Sequence, residues 1–481
     1  MKNMILSVRS ALVALFALSA ATVYGADTQP NIILILADDM GYGDCGVYNP
    51  ESKIKTPHID QLAAEGLRFT DAHSAASTCT PSRYGLLTGI NPVRTGVLNT
   101  LLSRGEPIIA EDEQTIATLL RDQGYITRMI GKWHLGFEMD TSEQKAVYDF
   151  SEPLLGGPLD RGFDSFYGIH SSPSASPLCY FSGRDVVTKP TEKITFKTQR
   201  ANGAWVTIKA DISPGFVQEE VSPTFCRQAV ELIHAHAESK EARPLFLYYA
   251  SPIPHRPWVP SAAFQGKSGQ GDYGDFVMQL DAVVGQINAA LKETGLDQDT
   301  LLIFTSDNGP GPLAVKAMKH VGHASAGVLR GAKAASWEGG HRIPLIAKWP
   351  GRIAANEQTT AVINFTDVFA TFAELLEVDA ATHYPHSAAD SHSFLSVLLD
   401  PSQAYQRPGL MFNRGGAREG DWKLMSRSRV GKMDIVKPSQ FELFNLRNDL
   451  SEQNDVAQKH PERVERLFKA YRDYAANREL K

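Results

Sequence analysis

The chain has 481 residues, 43% of them hydrophobic and 21% charged, with a net charge of −6. That length suits an α/β core with a smaller companion, and the balance excludes a fibrous or disordered protein. No basic tract is present, which excludes a nucleic-acid binder; an anionic substrate must be gripped by a local cluster of cations.

The N-terminus, "MKNMILSVRSALVALFALSAATVYGADTQP", places Lys2 and Arg9 ahead of an apolar run that ends near Val23 in small residues. This is the layout of a secretory signal peptide over residues 1–25, and the run is short for a stable membrane span; an uncleaved anchor is the alternative. It implies export, to a bacterial periplasm or beyond. Next, "NIILILADDMGYGD" reads as a buried strand ending in two acids, Asp38 and Asp39. "HIDQLAAEGLRF" reads as an amphipathic helix with Ile59, Leu62, Ala63, Leu67 and Phe69 near one face. In "STCTPSRYGLLTG", Pro81 suits a first helical turn and Gly89 a helix end, which puts Cys79 at a helix N-terminus.

"TIATLLRDQGYITRMIGKWH" predicts a helix, a glycine turn and a strand carrying Lys132 and His134, which alternation puts on one side. Residues 140–223 are irregular and rich in Pro, Ser, Gly and Thr, as expected of loops and small strands on the rim of a site. "RPLFLYYASPIPH", "DTLLIFTSDNG" and "RIPLIAKWPG" repeat the pattern of apolar strand then polar end, with helices between. That alternation predicts an α/β sandwich, one large sheet flanked by helices, whose ligands collect at the carboxyl ends of the strands. From residue 401 the texture changes to that of a small antiparallel sheet packed on a terminal helix. Val464, Leu467, Phe468, Tyr471 and Tyr474 give that helix an apolar face.

Four strand ends thus carry Asp-Asp, Lys-x-His, His255 and Asp307-Asn308. Adjacent acids need a neutralising partner, and four oxygen donors suit a hard cation, Ca²⁺ or Mg²⁺. Taken singly, each acid could equally be a helix cap or an Asx turn. Lys132, His134, His255 and Lys333 beside them would hold a doubly charged tetrahedral oxyanion, sulfate or phosphate. The helix N-terminus would stabilise a Cys79 thiolate, so a cysteine nucleophile is one reading and an inert buried thiol another. A thiol-phosphatase loop needs Arg six residues after Cys, and that position is Gly85. The chain holds only four cysteines, Cys45, Cys79, Cys179 and Cys226, too few for a disulfide scaffold. With Cys79 set aside, Cys179–Cys226 is the expected bridge.

"CTPSR" followed by "LLTG" resembles the activation sequence of the type I, formylglycine-dependent sulfatases of the alkaline phosphatase-like superfamily. "ILADDMGYGD", "TPHIDQLAAEGLRFTDAH", "GKWHLG", "PHRPW", "TSDNG", "GAKAASWEGGHRIPLIAKWPG", "GDWKLM" and "LFNLRNDLSEQNDVA" match family blocks in order. The resemblance implies a large mixed, mostly parallel sheet flanked by helices over residues 26–400, and a C-terminal subdomain over 401–481. It implies that a formylglycine-generating or anaerobic sulfatase-maturating enzyme converts Cys79 to Cα-formylglycine. Asp38, Asp39, Asp307, Asn308 and the modified Cys79 match the family's metal ligands, usually of Ca²⁺. Arg83 and His134 match residues that hold the formylglycine, and Lys132, His255 and Lys333 those that grip sulfate.

The implied mechanism uses a hydrated aldehyde: one hydroxyl attacks sulfur, with Asp307 as base and His255 protonating the departing alcohol. The second hydroxyl then expels sulfate, with His134 taking its proton. The expected substrate is a sulfated saccharide such as a glycosaminoglycan, mucin glycan or algal galactan, with Asp164, His170 and Arg184 as rim candidates. A phosphodiesterase or phosphonate hydrolase of the same superfamily, or a catalytically dead glycan-binding protein, are the competing readings.

Overall fold

Alternate residues of "NIILILA" point to opposite sides of one sheet, and both sides are buried. In the computed structural model, which describes residues 29–99, 105–138, 150–199, 204–239, 241–412, 415–426 and 437–476, this stretch is strand β1 (Asn31–Ala37). Ile32, Leu34 and Leu36 enter one apolar cluster; Ile33, Ile35 and Ala37 enter a second. A strand covered on both faces needs no polar alternation, which is why its sequence is a continuous apolar run. The signal peptide assigned to residues 1–25 lies outside the described residues. Among those described, no helix is long and apolar enough to cross a membrane.

The remaining strands follow as β2 (Leu67–His73), β3 (Ile126–Lys132), β4 (Ser165–Ile169), β5 (Phe181–Ser182), β6 (Asp185–Val186), β7 (Glu192–Gln199) and β8 (Trp205–Ile212). After them come β9 (Leu245–Ala250), β10 (Thr300–Ser306), β11 (Arg342–Lys348), β12 (Glu357–Thr359) and β13 (Ile363–Asn364). They build a mixed sheet in the order β12-β2-β11-β10-β1-β9-β3-β4-β5-β6, with β13 beside β2 and β7–β8 apart as a hairpin. Its centre, β10-β1-β9-β3-β4, is parallel throughout, and antiparallel pairs flank it. The long helix Gly271–Thr294 seals one face with Val277, Leu280, Val284 and Ile287. Helices Cys79–Thr88, Ile116–Asp122 and Asp367–Leu375 cover the other.

Two expectations fail here. Leu67 and Phe69 do not continue the first helix, which ends at Ala64; they begin β2. A Cβ at Gly66 would stand 2.2 Å from the Ala347 carbonyl, so only glycine lets the chain turn there and enter the sheet beside β11. The alternation Leu67, Phe69 belongs to a period of two. The Cys179–Cys226 bridge is also absent: both thiols are free, Cys179 in the first apolar cluster and Cys226 in the second. Each is a small buried hydrophobe on its own side of the sheet.

Strands β14 (Leu410–Phe412), β15 (Gly416–Glu419), β16 (Trp422–Ser426) and β17 (Phe441–Asn445) form the expected antiparallel sheet. Val464, Leu467, Phe468 and Tyr471 of the helix Pro461–Ala476 bury against Leu424, Phe441 and Leu443. Charge joins this unit to the large sheet. Arg418 donates to both oxygens of Asp71 in β2, at 2.8 and 2.7 Å. Lys423 Nζ lies 2.8 Å from Glu338 and 2.8 Å from Glu452, all fully buried side chains. Against burial, which acts upward, Lys423 and its neighbours hold Glu338 well below the usual carboxylate range, while burial pushes Glu452 up to about 7.

Removing one partner of such a buried cluster strands the others. Lys423→Met is therefore expected to destabilise the fold by roughly 3–5 kcal/mol in denaturant unfolding. Lys469→Ala, which breaks only an exposed pair with Asp473, should cost less than about 0.5 kcal/mol. Equal effects of the two would contradict the assignment. Alkylation of the unfolded, unreduced protein should label both Cys179 and Cys226; protection of that pair until a reductant is added would restore the bridge.

Candidate active site

The carboxyl ends of β10, β1, β9 and β3 lie side by side because those strands are adjacent and parallel. Asp307 and Asn308 follow β10, Asp38 and Asp39 follow β1, Lys132 ends β3, and His255 comes from the loop after β9. Above them stands the helix Cys79–Thr88. Thr78 is extended (φ −147°) and Gly89 is left-handed (φ 70°), its N–H donating to the Gly85 carbonyl, so the helix begins at Cys79 as the sequence predicts. The Cys79 Sγ lies 3.5 Å from Asp38, 3.7 Å from Asp39 and 2.8 Å from Lys333 Nζ.

Three carboxylates meet three cations. Lys132 Nζ is 2.6 Å from Asp38, Lys333 Nζ is 2.6 Å from Asp39, and the Arg83 guanidinium reaches Asp307 at 3.0 and 2.9 Å. Arg83 also donates to the Lys132 carbonyl at 3.0 Å, which ties the helix to the end of β3. Against burial, Lys132, His255 and Arg83 hold Asp38 well below its usual range. Burial and the neighbouring Asp38 lift Asp307 to about 6. Burial, with Asp307 adding to it, pushes the Cys79 thiol well above its ordinary value. Burial and the neighbouring acids thus act against the thiolate that a helix N-terminus would favour.

Burial lowers His255 to about 4 despite Asp38 and Asp39. Its Nδ1 faces the Arg256 carbonyl at 2.6 Å, and since a carbonyl only accepts, Nδ1 carries the hydrogen. Nε2, 3.7 Å from Asp39, is left to exchange a proton with a ligand. Ser172 Oγ, 3.2 Å from Nδ1, steadies this ring; nothing in its sequence neighbourhood marked it. Ser306, whose Oγ accepts from the Met40 N–H at 3.0 Å, also escaped notice. Asp39, His134 and Ala334 all adopt positive φ (68°, 61° and 67°), a cost that clusters where function fixes the backbone.

The other expected residues divide. His134 lies beyond the end of β3, so strand alternation does not reach it; it is buried, and its N–H donates to the His170 carbonyl at 2.8 Å. His170 follows β4 at the same end of the sheet. Asp164 does not join them: it accepts from the Thr127 N–H at 2.9 Å, at the opposite end of β3, and caps the β3–β4 pair. Arg184, in the β5–β6 turn, pairs with Asp160 at 2.6 Å and donates to the Leu154 carbonyl. Both are held by local backbone and charge.

The donor set fits a hard cation. Asp38 and Asp39 offer carboxylate oxygens within 4.8 Å of one another, Asp307 Oδ1 lies 3.1 Å from the Asp39 nitrogen, and the buried Asn308 Oδ1 accepts no hydrogen bond among the described residues. An amide oxygen left so would be satisfied by a cation.

Comparison with known proteins gives a consistent result. The family model described as Sulfatase matches residues 30–378. The N-acetylgalactosamine-6-O-sulfatase of Bacteroides thetaiotaomicron is 34% identical over 483 residues, covering 91% of this chain and 92% of that protein. Bovine arylsulfatase A is 37% identical over 391 residues, covering 80% and 71%. A solved Bacteroides thetaiotaomicron structure, from a locus described as metabolising multiple glycosaminoglycans, superposes with a TM-score of 0.81 at 30% identity over 94% of this chain and 100% of that one.

A divalent cation at a hundred times its Kd should raise stability by about 2.7 kcal/mol, read as a higher Tm. Asp39→Asn combined with Asn308→Ala should lose that rise, and an undiminished rise in the double variant would place the cation elsewhere.

Proposed function

The chain belongs to the sulfatase family and is a sulfuric ester hydrolase, and from that premise we propose that it desulfates a saccharide through an aldehyde made from Cys79. The observation that carries this is the position of Cys79. It sits at a helix N-terminus against two carboxylates and a lysine, where burial and the adjacent acids disfavour a thiolate. That is a poor place for a thiolate nucleophile and a good one for a precursor. A maturating enzyme that replaces the thiol by an aldehyde would leave a carbon able to carry two hydroxyls.

In this reading Asp307 takes the proton of the first hydroxyl as it attacks sulfur. Lys132, Lys333 and the helix N-terminus hold the negative charge that the sulfuryl oxygens carry. His255 must deliver its Nε2 proton to the departing alcohol. Its low free value rises when an anion binds beside it, so protonation accompanies substrate binding. His134 accepts the proton of the second hydroxyl, sulfate leaves, and the aldehyde reforms. Arg83 holds Asp307 and the end of β3 in register. Asp38, Asp39, Asp307 and Asn308 would hold the metal, proposed as Ca²⁺, which supplies Lewis acidity to the attacking oxygen.

The saccharide assignment is supported by the relatives named for N-acetylgalactosamine-6-sulfate and by the glycosaminoglycan locus of the structural neighbour. Export, read from residues 1–25, would place the enzyme where such polymers are met. The catalytic unit is proposed as residues 26–400 and the C-terminal subdomain as 401–481.

Mass spectrometry of the tryptic peptide Phe69–Arg83 from active protein should find aldehyde in place of thiol; intact thiol in fully active enzyme contradicts the mechanism. Cys79→Ala should lower kcat on the order of 10⁴-fold or more. Sulfate should be released from an aryl sulfate much faster than phosphate from the matching aryl phosphate, and the reverse order would favour a phosphoester hydrolase.

A further inference from the structure

The cleft beside Cys79 is lined by Asp39, His255 and Lys333 and, further out, by Arg256, Trp258 and Tyr273. Every cation closest to the thiol has its carboxylate: Arg83 has Asp307, Lys132 has Asp38 and Lys333 has Asp39. Among the described residues Arg256 has no such match. Its Nη1 is buried and has no hydrogen-bond partner among those residues. Asp39, the carboxylate of the same cleft, already accepts from Lys333 at 2.6 Å and Asn308 at 2.8 Å.

A buried guanidinium N–H without an acceptor is unfavourable until something supplies one. The backbone at this position is fixed, because the Arg256 carbonyl accepts from His255 Nδ1 at 2.6 Å and from Ser172 Oγ at 3.3 Å. The fork is therefore carried on a rigid segment, one residue from the imidazole that faces the departing oxygen. Trp258, edge-on to Tyr273 with ring centroids 5.4 Å apart, adds an aromatic wall to the cleft. A planar guanidinium pairs best with a carboxylate or with two oxygens of a sulfate.

We propose that Arg256 binds a second anionic group, a carboxylate or a further sulfate, on the leaving-group side of the scissile ester. This rests on the sulfatase reading and deepens it: the preferred substrate is a saccharide with a charge besides the one removed. Arg256 is then a specificity-determining residue, and the bond-breaking step is unaltered in kind.

The test compares kcat/KM on four substrates: a monosulfated N-acetylhexosamine linked to a neutral hexose, the same sugar linked to a hexuronic acid, the same disaccharide with a second sulfate, and 4-nitrophenyl sulfate. Wild type should prefer one of the doubly charged saccharides over the neutral-linked one. In R256A the charged-to-neutral ratio should fall by about 10–100-fold, and R256K should restore part of it. The arm whose ratio falls identifies the group as carboxylate or sulfate. If R256A does not fold, R256Q and R256K carry the comparison. A uniform loss on all four substrates, or an unchanged ratio, overturns the role of Arg256 and leaves the sulfatase reading standing. Failure of wild type to release sulfate from any of the four overturns both.

Discussion

Three buried carboxylates at the ends of two neighbouring strands set the terms for the rest of the molecule. Asp38 and Asp307 are fully buried and Asp39 nearly so. Their mutual repulsion in a medium of low polarity would unfold the site unless positive charge were brought to it. The fold brings it from four directions: Lys132 along β3, Arg83 from the helix, Lys333 from the segment before β11, and the helix N-terminus itself. A site that gathers this much positive charge around a hard donor set is suited to a cation and a doubly charged oxyanion together. The need to neutralise the acids and the proposed capacity to bind sulfate are one arrangement.

The segment that carries Lys333 is itself held by charge. Glu338, five residues on, is gripped by Lys423 of β16 and by Arg342, and its N–H donates to Glu452 at 2.7 Å. Arg330 donates to the Glu452 carbonyl and lies over the Trp337 ring. The small C-terminal sheet therefore closes around the base of the loop that delivers Lys333 to Asp39 and Cys79. Its contribution to the site is positional, since the strand-end residues all come from the large sheet.

Much of this was legible in the sequence, for a physical reason. Strands buried on both faces are long apolar runs, and the polar residues that interrupt them, Asp38-Asp39, Lys132 and Asp307-Asn308, stand out at their ends. Pro81 and Gly89 bracket a helix by backbone chemistry alone. What failed had weaker signals. Leu67 and Phe69 satisfy both a helical and a strand period, and the close approach that makes Gly66 a boundary is a tertiary fact. The Cys179–Cys226 pairing assumed proximity, whereas the sheet separates the clusters they join. Asp164 and Arg184 are polar residues in an irregular segment, and only the structure shows that their partners are the Thr127 N–H and Asp160. The thiol's burial, which opposes the helix-dipole argument for Cys79, is likewise invisible in one dimension.

The central claim is that residue 79 needs two hydroxyls, one to take the sulfuryl group and one to expel it. Serine supplies only the first. Incubating Cys79→Ser with an aryl sulfate and weighing the peptide Phe69–Arg83 tests this most directly. The account predicts one phenol released per chain and one sulfate retained on Ser at position 79, with no further turnover. Continued turnover, or phenol release with no sulfate on that peptide, would contradict it.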